Sequence, residues 1–165
     1  MKKLGFLLLA MLLLTGCGAP VDYETMADVY VQAELPMPAE LLVALPPDAA
    51  VMTGADGSSK IWLCDGYTVT AQTLASGDLD ATLRSVTGFG REQLSLVELQ
   101  SGTLRRWEWV WTCAGEGGDQ VCRGVILDDG AYHYVLSLQT DAQLAGELSE
   151  AWREIVGSFS LDIVP

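Results

Sequence analysis

The chain has 165 residues, half of them hydrophobic, and its 22 acidic side chains against 9 basic ones give a formal net charge of −13. That length suits a single domain with its own core. So acidic a surface excludes nucleic acid as a partner, because phosphate binding rests on clustered Lys and Arg, and it disfavours flat docking on anionic lipid.

The first elements lie outside any fold. Lys2 and Lys3 form a short positive region, and Leu4 to Leu14 follow as an apolar run of 11 residues. A membrane-spanning helix needs roughly 20, so the run fits the hydrophobic part of a secretory signal. Leu14-Thr15-Gly16-Cys17 comes next and resembles the lipobox of bacterial lipoproteins: an aliphatic residue, two small residues and a cysteine. That resemblance implies cleavage before Cys17, a lipid on its thiol, a membrane as partner through that lipid, and a place on the extracytoplasmic face. Removing residues 1–16 leaves seven basic side chains against 22 acidic. Residues 17–38 then form the lipidated N-terminus and a tether punctuated by Pro20, Pro36 and Pro38, with Val29 to Leu35 a candidate edge strand. Residues 39–165 are expected to form one domain.

Within it, Leu41 to Leu45 reads as a strand before Pro46-Pro47. Lys60 to Cys64 and Tyr67 to Ala71 flank Asp65-Gly66, a hairpin signal because such a turn needs positive φ. Ser76 or Asp78 is placed to cap a helix with Leu79, Leu83 and Val86 on one face, stopped by Gly88. Four strands follow: Leu94 to Gln100, Thr103 to Cys113, Gln120 to Leu127 and Ala131 to Leu138, the last pair joined at Asp129-Gly130. Thr140 with Gln143 reads as a capping box opening a second helix with Leu144, Leu148, Trp152 and Ile155 at helical spacing. Gly157 is expected to end it, and Phe159, Leu161 and Ile163 alternate as a final strand. Hairpins in the middle with a helix on each side predict an α+β fold: an antiparallel sheet with two packed helices.

That element order, and the segment Trp152-Arg-Glu-Ile-Val-Gly-Ser-Phe159, resemble the closing helix and strand of the PsbP-like fold, which includes DcrB and LpqN-type envelope proteins. The early Gly-Trp of that family is absent; the chain reads Leu45-Pro46-Pro47-Asp48 there. The resemblance implies a small non-enzymatic accessory or binding module, although fold likeness alone assigns no task.

Several constellations invite chemistry. Trp107, Trp109 and Trp111 alternate on one strand face: either a sugar-stacking platform or, as the favoured reading, core between sheet and helix. The expected cover for that face is the apolar stripe of the last helix. A two-residue turn at Gly117-Gly118 would put Gly124 opposite Trp111 and Ile126 opposite Trp109. The same register faces Cys113 with Cys122, a candidate disulfide, leaving Cys64 unpaired. His133 is the only histidine, and no local motif pairs it with Cys64 or Cys113 as base and nucleophile. The sequence has no G-x-S-x-G, H-E-x-x-H or C-x-x-C. Gly115 to Asp119 lacks the Lys of a phosphate cradle, and Asp128-Asp129-Gly130 lacks the alternating ligands of a calcium loop. No catalytic, metal or cofactor residues are therefore assigned. The expected function is a tethered binding or accessory module with an envelope protein or a small ligand as partner; a glycan- or solute-binding lipoprotein is the alternative, and an envelope enzyme the least favoured reading.

Overall fold

The computed structural model describes residues 35–53, 59–101 and 103–162. Cys17, the signal segment and most of the tether, as well as Ile163, lie outside the described residues. The elements are β1 (Glu40–Leu42), β2 (Ala50–Thr53), β3 (Ser59–Cys64), β4 (Tyr67–Ala75), α1 (Leu79–Thr87), β5 (Val97–Ser101), β6 (Leu104–Gly115), β7 (Gly118–Asp128), β8 (Tyr132–Asp141), α2 (Ser149–Ser158) and β9 (Ser160–Asp162), with a 3-10 turn at Arg91–Gln93. Strands β2 to β8 form one antiparallel sheet in the order β2-β3-β4-β8-β7-β6-β5, and β1 pairs with β9 in a separate ribbon. The α+β expectation and the four-strand meander hold; β2 is an element the sequence reading did not place.

Alternation decides which side chain faces which layer. In β4, Tyr67, Val69 and Ala71 are buried, and they join Val125, Leu127, Tyr134, Leu136 and Leu138 on one face of the sheet. Trp152, Ile155 and Val156 of α2, with Phe159, cover that face. On the opposite face Trp107, Trp109, Ile126 and Val135 pack around Leu83 of α1. Strands β7 and β8 lie near the middle of the sheet and are buried on both faces over 124–128 and 133–136. The expected cover of the tryptophan face is thereby corrected. α1, not the last helix, lies over the indoles, because β6 turns Trp107 and Trp109 to the opposite side from Val125 and Leu127.

Helix ends follow local chemistry. Asp78 accepts a hydrogen bond from the Asp80 backbone N–H at 3.1 Å and caps α1, while Gly88 ends it at φ 81°, donating to the Arg84 carbonyl at 2.9 Å. The capping box expected at Thr140 does not form. The β7–β8 ladder runs on to Gln120 opposite Asp141, and the Thr140 hydroxyl instead donates to the Gly66 carbonyl at 2.6 Å. Residues 142–148 are turns, so α2 starts only at Ser149, and it continues through Gly157 to Ser158. Phe159 ends it by turning extended into the core, where it is 2% exposed.

Two hairpins differ from expectation. Cys64 pairs with Tyr67 around Asp65-Gly66 as expected, with Gly66 at φ 77°. The β6–β7 turn sits at Glu116-Gly117, since Gly115 pairs with Gly118. Its register is two residues from the expected one: Trp107 faces Ile126, Trp109 faces Gly124 and Trp111 faces Cys122. The reason is steric. A β-carbon at 124 would collide with the six-membered ring of the Trp109 indole, which occupies the space over that glycine. The β7–β8 turn likewise moves to Gly130-Ala131, because the Asp129 carboxylate accepts from the backbone N–H groups of Ala131 at 2.8 Å and Tyr132 at 2.7 Å.

Candidate functional site

Register lays a strip of partly exposed side chains, the trough, across the sheet face that carries the indoles. One row across the strands reads Trp109, Gly124, Ser137, Thr70, Ile61, Met52; the next reads Trp111, Cys122, Gln139, Thr68, Leu63. Small or polar side chains occupy the middle of both rows and large apolar ones their ends. α1 packs over Trp107, Trp109 and Val135, whereas Thr68, Thr70, Ser137 and Ile61 stay partly exposed and Met52 and Leu63 are exposed. Among the described residues no element covers this second half of the face. Trp111 stands between the two regions, half-buried, its ring stacked on Trp109 with centroids 5.9 Å apart and planes at 27°.

A cleft of about 390 Å³ adjoins the strip at Leu63, Thr68 and Gln139 and reaches round the strand ends, where Cys64, Gly66, Tyr67, Gln120, Thr140, Asp141 and Leu144 complete its walls. The Gln139 amide donates to the Gln120 side-chain carbonyl, so each amide keeps polar capacity for a ligand. Apart from Asp141 at the rim, these side chains are neutral in a chain of net charge −13. Pro36 and Ala39 meet the sheet at the other end. The Tyr132 hydroxyl donates to the Pro36 carbonyl at 2.7 Å, and the Tyr134 hydroxyl accepts from the Ala39 N–H at 2.8 Å. From Tyr132 to Gln139 along β8 is roughly 23 Å at the rise of a strand.

His133 is 1% exposed, its Nδ1 lying 2.8 Å from the Thr82 hydroxyl of α1 and its Nε2 4.0 Å from Asp128 Oδ2. Burial pushes its pKa down, with Asp128 opposing and Arg105 assisting. The trio has the membership of a hydroxyl–imidazole–carboxylate triad, yet Thr82 and Asp128 are only 7% and 5% exposed and the group lies inside the layer beneath α1. The contact between Thr82 and His133 ties α1 to the sheet. Cys122 stands opposite Gln139, six strand positions from His133, which is about 20 Å. Among the described residues no thiol lies beside the imidazole.

Cys113 and Cys122 are free thiols with sulfurs 3.5 Å apart, diagonal across β6 and β7 rather than directly opposite, since Cys113 faces Gln120. Cys64 lies on the α2 face beside Tyr67, whose hydroxyl is pushed up to about 12 by burial and by that thiol. Among the described residues no three His, Cys, Asp or Glu side chains converge as metal ligands, and no helix is long and apolar enough to cross a membrane. The trough residues Thr68, Thr70, Ser137 and Gln139 escaped the sequence reading. Polar residues alternating with apolar ones read as an ordinary solvent face, and only their place between β3 and, beyond β7, β6 sets Leu63 and Trp111 at the ends of their row.

No protein-family model matches the sequence, and no curated protein matches it significantly. A crystal structure from Bacteroides thetaiotaomicron VPI-5482 is similar at a TM-score of 0.51 and 14% identity over 74% of this chain; this chain covers 45% of that one, less than half its length. More distant likenesses are to cyanobacterial PsbP of Synechocystis sp. PCC 6803 (TM-score 0.45, 6% identity, 72% of this chain and 97% of that one) and to LpqN of Mycobacterium tuberculosis, described as involved in cell envelope biogenesis (0.44, 12%, 75% and 85%). At such identities these likenesses concern the fold alone.

Proposed function

We propose that this chain is a lipid-anchored, extracytoplasmic and non-enzymatic binding module, held to a membrane through Cys17, and that its trough takes a neutral polar ligand such as a glycan segment. The observation carrying this reading is the trough, a neutral strip bounded by Trp111 and Leu63 and carrying Thr68, Thr70, Ser137 and Gln139, which runs toward the end of the sheet remote from Pro36. An indole offers a flat apolar face to sugar C–H groups, and amides and hydroxyls match sugar hydroxyls. The overall negative field repels anionic ligands. The burial of His133 with Thr82 supports a binding role over a catalytic one.

Two measurements test the two halves of the proposal. Cys17→Ala should accumulate uncleaved precursor, and the wild type should partition into detergent; release of soluble, unmodified wild type would remove the anchor. Trp111→Ala should keep a cooperative melt yet lose binding to a cell-wall glycan array. Undiminished binding by that variant, or none by the wild type, would remove the trough as a glycan site.

A further inference from the structure

We propose that Cys113 and Cys122 are a reactive dithiol that closes to a reversible disulfide, with Cys113 the attacking thiol and Cys122 the resolving one. Their sulfurs lie 3.5 Å apart on the trough face of the β6–β7 hairpin, so closing the bond needs a local approach and no rearrangement of the fold. Cys64 takes no part, because it points to the opposite, α2-facing side of the sheet.

The two thiols are not equivalent. Cys113 is half-exposed, and the Gln120 side-chain carbonyl lies 4.0 Å from its sulfur as acceptor. Cys122 is 1% exposed, and burial together with the Cys113 thiol pushes it up to about 12. Thiolate and access both decide nucleophilic attack. Cys113 therefore meets the oxidant, which we take to be a low-molecular-weight or protein disulfide. Its thiolate attacks one sulfur of that disulfide and forms a mixed disulfide, releasing one thiolate. The Cys122 sulfur then attacks Cys113, its proton passing to the departing second thiolate. Two thiols lose two electrons and two protons, and the oxidant leaves as two thiols.

The diagonal placement governs how firmly the bond holds. Diagonal neighbours across a ladder sit farther apart than directly opposed ones, so the bridge must draw β6 and β7 together. A disulfide formed away from its preferred geometry is more readily reduced. Cys122 also lies in one row with Trp111 and Gln139, so closure acts on the Trp111 end of the trough.

The experiment uses the full chain purified from membranes, reduced, then treated with oxidised glutathione without denaturant, alkylated and mapped by mass spectrometry. The expected product is a Cys113–Cys122 link reversed by dithiothreitol, with Cys64 alkylated. Cys122→Ser should trap glutathione on Cys113, and in the reduced native protein Cys113 should alkylate at least about tenfold faster than Cys122. Three alkylated thiols after oxidation of the wild type, or a link to Cys17 or Cys64, would overturn the proposal. Faster alkylation of Cys122 would overturn the assigned roles. None of these readouts depends on a ligand in the trough.

Discussion

The guanidinium of Arg106 closes the carboxyl end of α2, its Nη2 donating to the Val156 carbonyl at 2.7 Å. Its Nη1 donates to the Phe159 carbonyl at 3.2 Å, and its Nε to Glu108 at 2.8 Å. The last carbonyls of a helix lack intrahelical partners and carry partial negative charge, so one side chain from β6 satisfies the end of α2 and ties it to the sheet. Arg106→Ala should destabilise the domain by roughly 2–3 kcal/mol, as expected for removing one partner of a part-buried charged group. Urea unfolding measures this; an effect below about 0.5 kcal/mol, the range of ordinary surface substitutions, would show the cap to be incidental.

Glu108 also accepts from Arg123 at 2.9 Å. Burial opposes its ionised form, yet the hydrogen bonds from Arg106 and Arg123 outweigh it and hold the carboxyl below its usual range. The Asp129 carboxyl is lowered too: burial opposes, and the N–H groups of Tyr132 and Ala131 and the Tyr134 hydroxyl prevail. Both groups favour the fold fully above their unfolded values of 4.5 and 3.8. That contribution is lost as pH falls through the lower folded values. Stability measured from pH 5 downward should therefore drop, and Glu108→Gln should flatten part of the slope.

His133 titrates earlier. Its folded pKa is depressed by burial, so the unfolded chain binds the proton first, and stability should fall as pH drops from the unfolded value of 6.5 toward the folded one. The slope from this one group is at most about 1.4 kcal/mol per pH unit. Urea unfolding between pH 7 and 5.5 measures it. His133→Gln should abolish the slope in that interval; an unchanged slope would assign it to other groups.

Gly124→Ala places a methyl group against the Trp109 ring and should cost roughly 1–3 kcal/mol, as overpacking does. Trp152 is 4% exposed at the centre of the α2 layer, and Trp152→Ala should cost roughly 3–5 kcal/mol through the cavity it leaves. Trp152→Phe should cost less, since the indole N–H has no hydrogen-bond partner among the described residues. Equal losses for Phe and Ala at 152 would point to an unrecognised polar role.

Local chemistry made much of the fold legible. The positive φ required at Gly66 and Gly88, the capping carboxylate of Asp78 and the alternation in β4 are properties of neighbouring residues, and the chain shows them directly. The failures share a different cause. Thr140 with Gln143 looks like a helix start until Asp141 is seen paired with Gln120. The tryptophan stripe looks like cover for α2 until strand pleating separates the two faces. Composition and local pattern by themselves determined an acidic α+β chain with its hairpins, its first helix and a lipobox-like Leu14-Thr15-Gly16-Cys17. Only tertiary structure decided that Trp109 lies over Gly124, that Cys113 meets Cys122 diagonally and that Thr68, Thr70, Ser137 and Gln139 share a trough. Those relations depend on register between strands distant in sequence, where a shift of two residues keeps every face and changes every partner.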